Sequence, residues 1–366
     1  MHPTSALADQ VHGVGDRQRC SEDHRLGASL LVPTFLRELL APEVRTVLVY
    51  GCGGGFDFVH CMLLYPELRR LGKRVLIVSN SFADPRRFSG AGVKTVFTDP
   101  EVRLMDAAVD SPPADYAPEA HLLSFLDQEY PASAPHTLYA SDAREWSQPT
   151  ATSFYQQLVD EHGVDAAVCI DGGSDSLMAG NERGLGDPLE DAVSVSSLAK
   201  LERLGLRLLL SVGFGADRFL DVSDASSLRA VAELTAAGGY RGSAAIEPGS
   251  AGLAFYRCCL EHIYQQQTFQ SVLSGAIVSS ALGHYGSDVV PPTLPARTRG
   301  RVFLWPLMAM LWAFDPAVVV ARSQICRWIE GQPHADMEKI LDAKRKEMRA
   351  NGTCLEVEEL PRHADA

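Results

Sequence analysis

The residue types best suited to chemistry gather in one stretch. It runs Val168-Cys169-Ile170-Asp171-Gly172-Gly173-Ser174-Asp175-Ser176-Leu177 and continues through Asn181-Glu182-Arg183-Gly184-Leu185-Gly186-Asp187-Pro188-Leu189-Glu190-Asp191. Carboxylates on short glycine loops are hard oxygen ligands. Asp171 and Asp175 are the pair expected to hold Mg²⁺, an ion that keeps several waters and bridges to substrate phosphate. Asp171, Asp175 and Asp217 are also the candidates for direct proton transfer. Gly172, Gly173, Ser174 and Glu182 are candidate ligand contacts beside them. A solvated acidic loop whose Asp and Ser residues cap the next helix would use the same residue types, so the alternative stays open.

A second stretch, Val47-Leu48-Val49-Tyr50-Gly51-Cys52-Gly53-Gly54-Gly55-Phe56-Asp57, reads as strand, glycine turn and helix. Backbone N–H groups at Gly53, Gly54 and Gly55, with the positive end of a helix behind them, favour a phosphate or carboxylate. Close strand–helix approach alone also accounts for such glycines. Asp57 suits the helix dipole yet repels a phosphate unless a cation lies between them. At a third junction, Gly213-Phe214-Gly215-Ala216-Asp217-Arg218, Asp217 reads equally as a turn residue or a ligand-facing acid. His284, after Ser279-Ser280-Ala281-Leu282-Gly283, is a candidate catalytic base, a helix-capping role being the plainer one.

Bringing these junctions together requires parallel strands, because the carboxyl ends of such strands open on one crevice. Short apolar runs predict strands at residues 45–50, 74–78, 137–140, 166–170 and 206–212. Helical spacing predicts helices from Leu26 to Leu40, over 56–71 with a break near Pro66, and over 153–162 and 188–204. Others are predicted over 253–269, 272–284 and 335–351. The expected fold is α/β, a doubly wound, mainly parallel, Rossmann-like sheet with additional C-terminal helices, the part from about residue 251 being mainly helical. Residues 1–23 and 351–366 read as tails around one large α/β domain at 24–350. The proline-rich stretch 83–135, with weak strand signals at 93–97, reads as an irregular excursion suited to a lid. Val302 to Phe314, interrupted by Pro306, is too short to span a bilayer and reads as a core segment.

Composition narrows the partners. Of 366 residues, 46% are hydrophobic and 22% charged, as in globular proteins, and the net charge of −13 argues against nucleic-acid binding. No membrane association is expected, while a homo-oligomer remains open. The eight cysteines lack Cys-x-x-Cys spacing and read as reduced thiols, and no basic-then-apolar leader opens the chain, so a cytoplasmic location is expected.

Tyr50 to Asp57, Asp171 to Leu177, Glu182 to Ala192 and Val212 to Asp217 together resemble the family called domain of unknown function 1152. The resemblance covers roughly residues 45–330 and implies an α/β fold, with Cys52 and Phe56 departing from a more uniform glycine turn. It implies no established reaction.

Three functions compete. One is an enzyme acting on a small phosphorylated, nucleotide-like or carboxylated metabolite, a hydrolase or transferase assisted by Mg²⁺. Another is a methyltransferase-like enzyme using S-adenosylmethionine, although strand two ends in Val78-Ser79-Asn80 without the acid expected to bind ribose. The third is a non-catalytic metabolite-binding protein. No Gly-x-Ser-x-Gly occurs, and Gly51-x-Gly53-x-Gly55 lacks the spacing of a nicotinamide-dinucleotide turn.

Overall fold

The structure is a computed structural model that describes residues 32–287, 293–295, 298, 301–355 and 360. Among them the elements run α1 (Thr34–Leu39), β1 (Thr46–Gly51), α2 (Tyr65–Arg70), β2 (Arg74–Ser79), β3 (Lys94–Thr98), β4 (Glu101–Asp106) and α3 (Pro118–Glu129). Then come β5 (Thr137–Ala140), α4 (Gln148–His162), β6 (Ala166–Asp171), α5 (Pro188–Lys200), β7 (Leu206–Ser211), α6 (Asp224–Ala236) and β8 (Tyr240–Ala245). The chain closes with α7 (Ala251–Gln266), α8 (Val272–Ala281), β9 (Met310–Phe314), α9 (Pro316–Arg322), α10 (Gln324–Ile329) and α11 (His334–Ala350).

All nine strands join one mixed sheet in the order β3-β4-β5-β2-β1-β6-β7-β9-β8. Its centre, β5-β2-β1-β6-β7, is parallel, and β3, β4, β9 and β8 extend it by antiparallel pairing. The central strands are short apolar runs because water reaches neither face. Val47, Val49, Val168, Ile170, Leu208 and Leu210 pack on one side with α1, α3 and α7. Leu48, Tyr50, Cys169 and Leu209 pack on the other with α4, α5 and α6.

Local chemistry fixes the crossovers. Helix α4 starts at a Ser147–Thr150 capping box and stops at Gly163 with φ of 60°, a backbone conformation that costs glycine nothing. Helix α5 starts with Pro188 in its first turn, followed by Glu190 and Asp191, where a missing N–H and negative charge are both tolerated.

Several sequence expectations are corrected. The segment after the β1 turn is a 3-10 helix, Asp57–Leu63, and the expected break falls at Leu64, after which Pro66 sits in the first turn of the short α2. Residues 83–135 are not an irregular excursion, because β3 and β4 form a hairpin on the sheet edge and α3 packs into the core. The stretch from 302 to 314 ends as β9, inserted between β7 and β8, the one described strand in a part after residue 251 that is otherwise mainly helical, as expected. Helix α5 ends at Lys200, short of Leu204. Of the expected tail at 351–366, Leu355 donates its N–H to Asn181 O at 2.7 Å. The tail expected at 1–23 and the helix start at Leu26 lie outside the described residues. No helix among those residues is long and apolar enough to cross a membrane.

Candidate active site

The chain runs from β1 outward to β2 and β5, then returns to place β6 on the other side of β1 and continues to β7. In parallel sheets the crevice for ligands forms where the strand order reverses in this way. The registers bring the strand ends level there, Gly51 beside Ile170 and Asp171 beside Ser211. A cleft of about 970 Å³ opens over these ends.

Its floor is carboxylate. Asp57 follows β1, Asp171 ends β6, Asp175 lies in the loop beyond, Asp191 stands in the first turn of α5, and Asp217 follows β7. All five line the cleft. One oxygen each from Asp171, Asp175 and Asp191 lies within 4.8 Å of the other two, and all three side chains are buried. Glycine is what permits the crowding. A Cβ on Gly173 would stand 2.5 Å from Asp217 Oδ1, and one on Gly172 would stand 2.6 Å from Asp57 Oδ1. One on Gly53 would overlap the Asp191 carboxylate.

Burial, and then mutual repulsion, raises the carboxyl groups of Asp57, Asp171, Asp191 and Asp217 well above their ordinary range. Asp175 is raised too, by burial, although the Asp187 N–H donated to its Oδ2 at 2.9 Å and contact with Asp191 pull it back. Ser176 donates to Asp171. Glu190, also on the cleft wall, is lifted to about 7 by burial and by Asp187. Among the described residues the nearby cations are engaged elsewhere: Arg218 with Asp224, Arg144 with Asp142, Arg87 with Asp115. None forms an ion pair with the five floor acids.

The sequence candidates separate into groups. Asp171, Asp175, Asp217, Asp57, Gly172, Gly54 and Gly55 line the cleft. Ser174 supports it, donating its backbone N–H to Asp217 Oδ2 at 2.7 Å while its hydroxyl pairs with Ser227. Gly53 gives its N–H to Ser194 Oγ at 3.3 Å. The turn leads into a seven-residue 3-10 segment rather than the α-helix expected behind an anion. Glu182 is a structural residue. It is buried, accepts N–H groups from Ala179 at 2.9 Å and Gly180 at 2.8 Å, and meets Arg322 at 3.5 Å. His284 is exposed beyond the end of α8 and does not reach the cleft.

Two contributors escaped the sequence reading. Asp191 belongs to the acid-rich stretch but is not among the residues expected at the site. His60, one turn beyond Asp57, is 1% exposed, and its Nδ1 lies 3.4 Å from Phe56 O. Its Nε2 has no partner among the described residues and lies 2.9 Å from where a Cβ on Gly172 would be. Burial lowers this imidazole to about 3, keeping it neutral.

The family described as Protein of unknown function (DUF1152) matches residues 128–359, more than half of the chain. The chain belongs to this family. The DUF1152 match takes in Asp171, Asp175, Asp191 and Asp217 and leaves the glycine turn of β1, with Asp57, outside it. No curated protein and no solved structure matches the chain.

Proposed function

We propose that the chain is an enzyme acting on a small anionic metabolite, by Mg²⁺-assisted hydrolysis or group transfer, with Asp171, Asp175 and Asp191 as the ion's protein ligands. One observation carries this reading: three buried carboxylate oxygens within 4.8 Å of one another, with no cation of the protein paired to them among the described residues. Like charges at that spacing in a desolvated site demand protons or a cation. A divalent cation answers the demand and supplies Lewis-acid polarisation of a phosphoryl or carboxyl oxygen.

The remaining residues take supporting roles. Asp57 and Asp217, both raised, flank the cluster as proton carriers. Ser174 holds Asp217 by its N–H. His60, neutral, lies behind Gly172 of the floor, its Nε2 without a partner among the described residues. The strand order with helices on both faces supports a doubly wound, Rossmann-like arrangement, in which this edge is the usual ligand site. Methyl transfer has less support. Asn80, at the end of β2, commits its amide to Gly51 O at 3.3 Å and Tyr155 Oη at 2.7 Å, leaving little to bind a ribose. A cytoplasmic setting is supported by the free thiols of the seven described cysteines.

Calorimetric titration of the full chain with Mg²⁺ tests the reading. Binding is expected, abolished by Asp191→Asn or Asp171→Asn in proteins that still melt cooperatively. Mg²⁺ and inorganic phosphate are expected to strengthen one another's binding by roughly 1–3 kcal/mol, the usual size of such coupling. Absence of Mg²⁺ and Mn²⁺ binding, or binding indifferent to both substitutions, would overturn it.

A further inference from the structure

The cleft is not acidic throughout. Phe82 is 40% exposed, Phe219 50%, Leu220 39% and Phe269 44%, and all four line it. Phe82 follows β2 and Phe219 with Leu220 follows β7, so these apolar side chains frame the floor from both sides in the sheet order. Phe269 adds an edge contact to Tyr116, with ring centroids 5.3 Å apart, on the wall contributed by the α7–α8 connection. Val272 and Leu273 continue that wall.

Exposed phenylalanines scattered over a surface need no explanation, but a group around one concavity marks a place where apolar surface is meant to be covered. The volume agrees. A phosphate or carboxylate head bound to one cation fills a small part of about 970 Å³, and the rest is bounded largely by rings and aliphatic chains. Behind the floor, 2.9 Å from where a Cβ on Gly172 would stand, the buried Nε2 of His60 has no hydrogen-bond partner among the described residues, an unfilled polar position independent of the acids.

We infer that the substrate is an amphiphile, with an oxyanion head on the Asp171, Asp175 and Asp191 floor and an apolar body lying between Phe82 and the Phe219–Leu220 wall. This rests on the metal-assisted reading above and gives its substrate class. The apolar body explains how an acidic cleft selects an anionic ligand. The cation neutralises the head, and covering the rings supplies affinity that the head alone lacks.

The test is an affinity series measured by calorimetry on the full chain in saturating Mg²⁺: inorganic phosphate, phenyl phosphate and 1-naphthyl phosphate. Each buried methylene equivalent is worth about fourfold, so 1-naphthyl phosphate should bind at least ~10-fold tighter than inorganic phosphate. Phe219→Ala, and separately Leu220→Ala, should weaken the naphthyl ester by roughly 5- to 10-fold while changing inorganic phosphate and Mg²⁺ less than about twofold. Both side chains are exposed, so both variants should fold. A flat series in a protein that binds Mg²⁺ overturns this inference and leaves the metal site standing, as does an unchanged naphthyl affinity in both variants. Failure of Mg²⁺ itself to bind overturns the proposed function, and the head-group half of this inference falls with it.

Discussion

Glu182 and Asp175 lie in the same loop, both buried, and the protein treats them in opposite ways. Glu182 spreads its charge over the N–H groups of Ala179 and Gly180 and over Arg322, so each oxygen has a donor. Asp175 receives the Asp187 N–H but otherwise faces Asp171 and Asp191, carboxylates like itself. A buried carboxylate with donors on every side holds a fold together. One surrounded by other carboxylates makes the fold less stable, and a protein retains it when something else, a proton or a cation, completes the set.

The largest effect is expected from removing Glu182. In Glu182→Ala the N–H groups of Ala179 and Gly180 lose their acceptor inside the protein, and Arg322 keeps Glu233 at 2.6 Å and Leu177 O. Unsatisfied buried donors cost about 1–3 kcal/mol each, so a loss of about 2–4 kcal/mol is expected, read as a lower urea midpoint. Mg²⁺ binding by the folded fraction should persist. If Glu182→Ala leaves stability untouched and removes the ion, the two acids have exchanged roles.

Asp191→Asn should do the reverse. Its amide can still meet Asp175, but one negative charge leaves the cluster, so the metal-free variant should be more stable than the parent at pH 8 by about 1 kcal/mol. The stabilisation that Mg²⁺ gives the parent, read as a rise in Tm, should vanish in the variant. A metal-free variant that melts lower than the parent would show that the carboxylate is structural after all.

The pH dependence follows from the direction of the shifts. The folded-state values of Asp57, Asp171, Asp175, Asp191 and Asp217 are raised, so their contribution is fully present below the unfolded carboxylate range, near pH 4. It is lost as pH rises through the raised values. Glu190, at about 7, sets one upper edge of that window. His60 and His121, lowered to about 3 and about 4, act oppositely, giving stability above pH 6.5 that is lost as pH falls towards those values. A single melting profile mixes the two. The difference between parent and Asp191→Asn isolates the carboxylates, and it should shrink from about 1 kcal/mol at pH 8 towards zero at pH 4. A difference constant over that range removes the repulsion argument.

Much of this arrangement was legible in the sequence because burial on both faces leaves a plain mark. The apolar runs of β1, β2, β5, β6 and β7 and the glycine-acid exits of β1, β6 and β7 read directly as strands and junctions. Of the flanking strands only β3 left a signal, at 93–97. β8, Tyr-Arg-Gly-Ser-Ala-Ala, is half-exposed and weak in β-branched residues, and β9 hides in a long apolar run where period cannot separate strand from core helix. Within the site, Asp171 and Asp175 announced themselves by sequence proximity. Asp191 was masked because an acid in a first helical turn already has a local explanation, and His60 because nothing in a lone histidine shows what its Nε2 lacks. Glu182 misled in the opposite sense, since sequence cannot tell a carboxylate with donors from one without.

The mildest test concerns the glycine turn, where the comparison moves from acids to backbone. A Cβ on Gly54 would meet the ring of Phe82, coming within 3.0 Å of Cε2 and closer to Cζ and Cε1. That ring is 40% exposed and belongs to a rotatable side chain, with Arg144 stacked 5.4 Å from its centroid. Gly54 is thus unlike Gly53 and Gly55, whose φ values of 87° and 70° penalise any side chain. Gly54→Ala should displace Phe82 rather than unfold the turn, costing less than about 1 kcal/mol. Because Phe82 forms one side of the cleft mouth, the same substitution should weaken 1-naphthyl phosphate about threefold and leave inorganic phosphate unchanged. If instead inorganic phosphate is lost and Tm holds, the turn's own N–H groups are binding the anion, and the acidic floor is not the only place where the head group is held.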